Sequence, residues 1–157
     1  MTGRAEVNRL KRILDESFKR AAKVDTDPEL LSDFARYLCV LVSGFIEKAV
    51  VELVLEHTRH RADPTILRFV EYRTRQFTNA NAQRLQELLG TFDPAWRGDL
   101  EQFLVDEKKA AIDSIVGLRN SISHGQSVGI TLVRVRKYYE HVQSVIDHVA
   151  DLCVPSS

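Results

Sequence analysis

The segment Thr131–Cys153, TLVRVRKYYEHVQSVIDHVADLC, decides the fold. Its start belongs to SVGITLVRV (Ser127–Val135), the one stretch of the chain rich enough in β-branched residues to be taken for a strand. From Leu132 onward, however, Leu132, Val135, Tyr139, Val142, Ile146, Val149 and Cys153 alternate steps of three and four without exception. Such steps return to one face of an α-helix, whereas a strand repeats every two residues. The stretch therefore reads as a loop followed by a helix with a bundle-packing seam. No other segment alternates with period two for long enough to build a sheet, so the expected class is all-α, a bundle of five or six helices.

Working outward, the prolines mark helix starts. Three of the four occur as Asp-Pro, at Asp27-Pro28, Asp63-Pro64 and Asp93-Pro94. The aspartate accepts hydrogen bonds from the first free amides, and proline next to it loses only an N–H that has no partner there. Val7, Leu10, Leu14, Phe18 and Ala21 mark a first helix, and a long second one runs from Pro28 to about His60. Its middle, YLCVLVSGFIEKAVVELVL (Tyr37–Leu55), is apolar around most of its circumference. Such a helix is central, or covers a subunit interface as well as a core. Shorter helices are expected over 64–77 and 80–90, the latter ended by Gly90, and a long run over 94–124 with a break near Gly98. Gly44 and Gly117 fall inside predicted helices, where each costs about 1 kcal/mol relative to alanine. A close crossing of the two helices at these glycines, bringing Ser43–Glu47 near Arg119, is the expected reason.

The chain has 157 residues, 44% of them hydrophobic, which suits one domain with a single core. The expected organisation is an N-terminal helix within 1–24 packed on the bundle, the main helical domain over 25–154, and a tail at 155–157. Lys plus Arg and Asp plus Glu both number 22. A protein that coats duplex DNA carries a basic excess, so any nucleic-acid contact here must be local. Cys39 and Cys153 sit in apolar runs without metal or redox spacing and read as buried thiols of a reducing compartment. No apolar run reaches the length of a membrane span, and MTGRAEVNRLKRILDE lacks the apolar core of a signal peptide. A cytoplasmic protein with no membrane attachment is expected.

The chemistry concentrates in RNSISHG, Arg119–Gly125. One reading is a solvated helix end with a glycine cap. The other takes Arg119 and His124 as working groups on a phosphodiester. Histidine, with an unperturbed pKa near 6.5, takes up and returns protons around neutral pH. Arginine keeps its charge and offers a planar fork that fits two phosphate oxygens. The pair suffices, without metal or cofactor, for attack of an RNA 2′-hydroxyl on its own adjacent phosphate. Spacing argues the other way: five helical residues separate two side chains by roughly 140°. They converge if the helix frays at His124, if substrate lies across the helix end, or if a two-fold dimer puts both motifs in one cleft.

GLRNSISHG (Gly117–Gly125) resembles the signature of the HEPN domains (higher eukaryotes and prokaryotes nucleotide-binding), an Arg and a His separated by four to six residues. The form RN-x-I-x-HG, the following TLVRVRKYYEHV (Thr131–Val142) and the earlier SGFIEKAV with Glu47 are similar to the RiboL-PSP-HEPN branch over about residues 30–150. This resemblance implies an up-down four-helix core with extra short helices, a homodimer whose two motifs share a cleft, and metal-independent endoribonuclease activity on RNA. It implies His124 as general base or acid and Arg119 as holder of the scissile phosphate. Asn120, Ser123 and Glu47 would support them. Toxin–antitoxin, phage-defence or RNA-processing settings come with it, and so does an antitoxin or defence-complex partner. Some HEPN toxins carry a modifiable Tyr two places after the His; here that place is Gln126, so that control is not expected. The rival is a non-catalytic dimerisation module that binds RNA or a nucleotide.

Other candidates are weaker. His57 and His60 form an H-x-x-H pair without further ligands and read as the cationic end of a helix. His141 and His148 flank the last seam and are assigned no chemistry. Basic residues cluster at Arg59–Arg61, at Arg68, Arg73 and Arg75, and at Arg134, Arg136 and Lys137, the last set placed to grip phosphates beside the cleaved one. Trp96 and Tyr138–Tyr139 could stack on bases, although core packing is the commoner use of large aromatics.

Overall fold

The computed structural model describes residues 3–24 and 27–155. The expected boundary at 24/25 and the last two tail residues fall at or beyond its edges. Seven helices follow one another: α1 (Gly3–Ala22), α2 (Pro28–Arg59), α3 (Pro64–Thr74), α4 (Ala82–Phe92), α5 (Pro94–Phe103), α6 (Asp106–Ser123) and α7 (Leu132–Cys153). Among the described residues there is no strand, and no helix is long and apolar enough to cross a membrane.

All three Asp-Pro pairs start helices in the way the chemistry requires. The backbone N–H groups of Glu29, Thr65 and Ala95 donate to Oδ1 of Asp27, Asp63 and Asp93 at 3.0, 2.9 and 2.9 Å. Thr131 does the same for Arg134 at the head of α7, which confirms the loop-then-helix reading. The α7 seam is buried where expected, through Val135, Tyr139, Val142, Ile146, Val149 and Cys153.

The long helices α1, α2, α6 and α7 form the four-helix core, each packed on its neighbours, with α2 also lying against α7. At 32 residues α2 is about 48 Å long. It carries the centre of the core through Leu38, Val42, Ile46, Val50 and Leu53, none of which is exposed. Phe18 of α1 stacks on Tyr139 of α7 at 4.9 Å, and the Tyr139 hydroxyl donates to Asp15 Oδ1 at 2.9 Å. The start of α1 meets the end of α2, where the Gly3 N–H donates to Oε2 of buried Glu56 at 3.0 Å. A Cβ on Gly3 would stand 2.7 Å from that of Glu56, so only glycine permits this approach. The remaining helices are ancillary: α4 and α5 pair with each other, and α3 rests on α2.

The helix count exceeds the expected five or six because the 94–124 run is two helices, and the break is not at Gly98. Leu104 leaves the helix to enter the core, 2% exposed, Val105 is extended, and Asp106 has φ +53. Aspartate tolerates this left-handed conformation better than most residues, so the chain turns without glycine or proline. Gly90 does not end α4, which continues to Phe92. Arg97 of α5 crosses over Gly90, and a Cβ there would lie 2.9 Å from its Cδ. The expected crossing at Gly44 and Gly117 is also overturned, because a Cβ at either would meet nothing within 4 Å. Although α2 and α6 do pack together, both glycines face away from that contact. Cys39 and Cys153 are fully buried thiols, and burial pushes each up to about 12.

Candidate active site at the end of helix α6

Two hydrogen bonds build the end of α6. The Gln126 N–H donates to Ser121 O and the Gly125 N–H to Ile122 O, both at 3.0 Å. This reversed pairing is a Schellman cap, and it needs a left-handed residue, here Gly125 at φ +72. The helix therefore does not fray at His124. His124 is the C-cap, its N–H donating to Asn120 O at 3.1 Å, with its side chain exposed. Its ring makes no hydrogen bond or ion pair to a described residue.

Arg119 is placed differently. With Ile112, Ile115 and Ile122 it follows steps of three, four and three, so it occupies the arc of α6 that packs on the core. It is half-buried, and among the described residues its one hydrogen bond is from Nη1 to Oδ1 of Asn120 at 3.4 Å. No described carboxylate lies within ion-pair distance. A guanidinium carries five N–H donors, so most of its hydrogen-bonding capacity is open to an anion.

His124 belongs to another stripe. Asp113, Gly117, Asn120 and His124 follow steps of four, three and four along the outer side of α6. Asp113, Gly117 and Asn120 line a cleft of about 260 Å³ with Lys109, Asn81 and Gln83. Gly117, lacking a side chain, leaves its floor open. Asp113 also caps α4 from a distance, Oδ1 accepting the Ala82 N–H at 2.9 Å. The cleft residues Asp113 and Asn81 were missed by the sequence reading, although the repeat 113–117–120–124 was a usable signal.

Glu47 does not touch the motif. Its Oε1 accepts the backbone N–H of Asn79 at 3.2 Å, so it braces the connection between α3 and α4 from which Asn81 enters the cleft. Ser43 is 1% exposed, with a buried hydroxyl lacking a partner among the described residues; it is closed to any ligand. Ser123, the last residue of α6, is exposed. The Arg134, Arg136 and Lys137 set divides. Arg134 and Lys137 edge a shallow recess with Gly129–Thr131, whereas Arg136 turns back over the Phe18 ring at 5.4 Å.

The other candidates are structural. His57 Nδ1 meets Cys153 O at 3.1 Å and its ring packs on Trp96 at 4.6 Å. Burial lowers its pKa, with the Cys153 carbonyl opposing. His60 bonds Glu56, and His148 bonds Asp99 while stacking on Phe103 at 3.8 Å. Among the described residues no three His, Cys, Asp or Glu side chains gather as a metal site would require.

The end of α6 thus combines a half-buried arginine free of carboxylates, an exposed imidazole on a rigid cap, and an asparagine that bonds the first and shares the second's face. No curated protein and no solved structure matches the chain. Against models of protein families it matches RiboL-PSP-HEPN over residues 5–154, nearly its whole length, so the chain belongs to the RiboL-PSP-HEPN family.

Proposed function

We propose that the protein is a metal-independent endoribonuclease of the cytoplasm that cuts single-stranded or loop RNA through its own 2′-hydroxyl. The observation that carries this reading is Arg119. Half-buried, it has no carboxylate within ion-pair distance among the described residues and, apart from the Nη1 bond to Asn120, leaves its donors for an anion. His124 removes the 2′-hydroxyl proton, the 2′-oxygen bonds to phosphorus, and the bond from phosphorus to the 5′-oxygen breaks. That oxygen takes a proton, leaving a 2′,3′-cyclic phosphate and a 5′-hydroxyl. Arg119 offsets the negative charge that builds on the non-bridging oxygens, and Asn120 orients its guanidinium.

In-line displacement puts the entering and leaving oxygens on opposite sides of phosphorus, and one imidazole does not reach both. A second copy, with its own motif in the same cleft, supplies the acid. The outer side of α2 offers a face for it. Leu30, Phe34, Tyr37, Leu41 and Gly44 follow alternating steps of four and three there. Leu30 and Tyr37 are 43% and 53% exposed, and the space beside Gly44 is open. Arg36, on the same turns but on a neighbouring side of the helix, donates to Val128 O in the loop that follows His124. A toxin or defence role, with an antitoxin or complex partner, suits such a nuclease.

The test is cleavage of RNA by purified protein in EDTA. The expected outcome is discrete products that His124→Ala abolishes and Arg119→Ala reduces by about two to three orders of magnitude, the usual loss when charge stabilisation is removed. Saturable RNA binding with no cleavage, unchanged by His124→Ala, would establish the non-catalytic rival instead.

A further inference from the structure

Helix α3 has a solvent face that folding does not explain. Of its eleven residues only Thr74 is buried, and it packs chiefly on α2. Ile66, Phe69 and Tyr72 are 52%, 61% and 67% exposed. On a helical projection Ile66, Arg73, Phe69, Tyr72, Arg68 and, just past the helix end, Arg75 occupy one continuous half of the circumference. The one acid of α3, Glu71, is half-buried and borders this face, three residues after Arg68 and four before Arg75, without an ion pair to either. Arg68, Arg73 and Arg75 are exposed and make no ion pair with a described residue. In a chain that is formally neutral overall, this face sets two exposed aromatic rings between the guanidinium groups of Arg73 and Arg68, while Arg75 stands at its edge, where it lines a cleft with Glu6, Glu47 and Glu52.

We infer that the outer face of α3 is a binding track for single-stranded RNA, with bases stacked on Phe69 and Tyr72 and phosphates held by Arg68, Arg73 and Arg75. Charge complementarity selects this occupant: Arg68 and Arg73, which have no ion-pair partner among the described residues, favour a polyanion, and the exposed rings between them suit unpaired bases. Phe69 and Arg73 also edge a groove of about 530 Å³ against Leu88 and Phe92 of α4, where an unstacked base fits. The track leads to the site through the chain itself. The connection that leaves α3 at Arg75 is clamped at Asn79 by Glu47 and delivers Asn81 into the cleft beside Asn120. The inference rests on the proposal that RNA is the substrate, not on how RNA is cut.

The test uses the full chain carrying His124→Ala, so that RNA stays intact, and an unstructured, fluorescently labelled RNA of roughly 20 nucleotides, longer than one stacking platform. Anisotropy titrations at several salt concentrations compare this background with added Phe69→Ala/Tyr72→Ala and with added Arg68→Gln/Arg73→Gln/Arg75→Gln. Loss of both rings should weaken binding about 30-fold or more. Loss of the arginines should lower the slope of log affinity against log salt by about 2. Unchanged affinity and slope overturn the track. So does an altered sedimentation coefficient with unchanged RNA affinity, which would make the face a protein interface. Binding lost in these variants by a protein that never cuts RNA supports the track and refutes the nuclease. Cutting of long RNA by the His124 protein with wild-type KM in the α3 variants does the reverse. If the parent chain binds no RNA, both fall.

Discussion

Three glycines with the same empty surroundings should respond to alanine with opposite signs. A Cβ at Gly44, Gly117 or Gly125 meets nothing within 4 Å, so sterics contribute nothing and only backbone conformation remains. Gly44 and Gly117 are within helices and have no positive φ. Alanine at each is expected to raise stability by about 0.5–1 kcal/mol, which shifts Tm up by roughly 1–4 °C for a chain of this size. Gly125 sits at φ +72. A Cβ there costs about 1–2 kcal/mol in the left-handed region, partly offset by the entropy alanine removes from the unfolded chain. The net is a loss of about 1 kcal/mol and roughly 2–4 °C. Calorimetry at concentrations low enough to keep the chain monomeric is the assay. Gly125→Ala should also slow RNA cleavage, because the cap positions His124. Gly44→Ala should weaken self-association at high concentration while stabilising the single copy. A Gly125→Ala protein as stable as wild type would refute the cap argument. A destabilised Gly117→Ala protein would mean that α6 packs there within one chain.

The Gly3 N–H, helped by His60 and Arg59, holds Glu56 below its ordinary value of 4.5 despite burial. Its contribution is therefore complete above that value and lost as pH falls through the lower folded-state one. Denaturant midpoints followed downward from pH 6 should fall more steeply for wild type than for Glu56→Gln, and parallel curves would contradict this. The two carboxylates that clamp the α3–α4 connection are a second target. Glu47→Ala and Asp113→Ala each remove a charge-assisted bond worth about 1.5–3 kcal/mol from the Asn79 or Ala82 amide. Hydrogen exchange at that amide should accelerate about tenfold or more, and unchanged protection would refute the clamp.

Much of the fold was legible because its signals are local. An aspartate before proline caps whatever follows it, and the Leu132–Cys153 seam has a single helical reading. The glycines misled for the complementary reason. Whether a glycine ends a helix, admits a crossing side chain as Gly90 does, or faces open space as Gly44 and Gly117 do depends on neighbours distant in sequence. The turn at Leu104–Asp106 had no glycine or proline to announce it, since it is driven by burying Leu104. At the site, Arg119, Asn120 and His124 were readable as residue types. That Arg119 lies on the core arc is also legible in its register with Ile112, Ile115 and Ile122. The role of Glu47 was out of reach, because its partner is a backbone amide 32 residues away.

The central claim, that the attacking group belongs to the RNA and the protein only moves protons and holds charge, is tested most directly by deleting one oxygen from the substrate. An RNA with a single 2′-deoxynucleotide on the 5′ side of an established cut should resist cleavage there, while neighbouring sites are cut and yield 2′,3′-cyclic phosphate ends by mass spectrometry. Cleavage at the deoxy position would show that water or a protein group attacks phosphorus and would contradict the account.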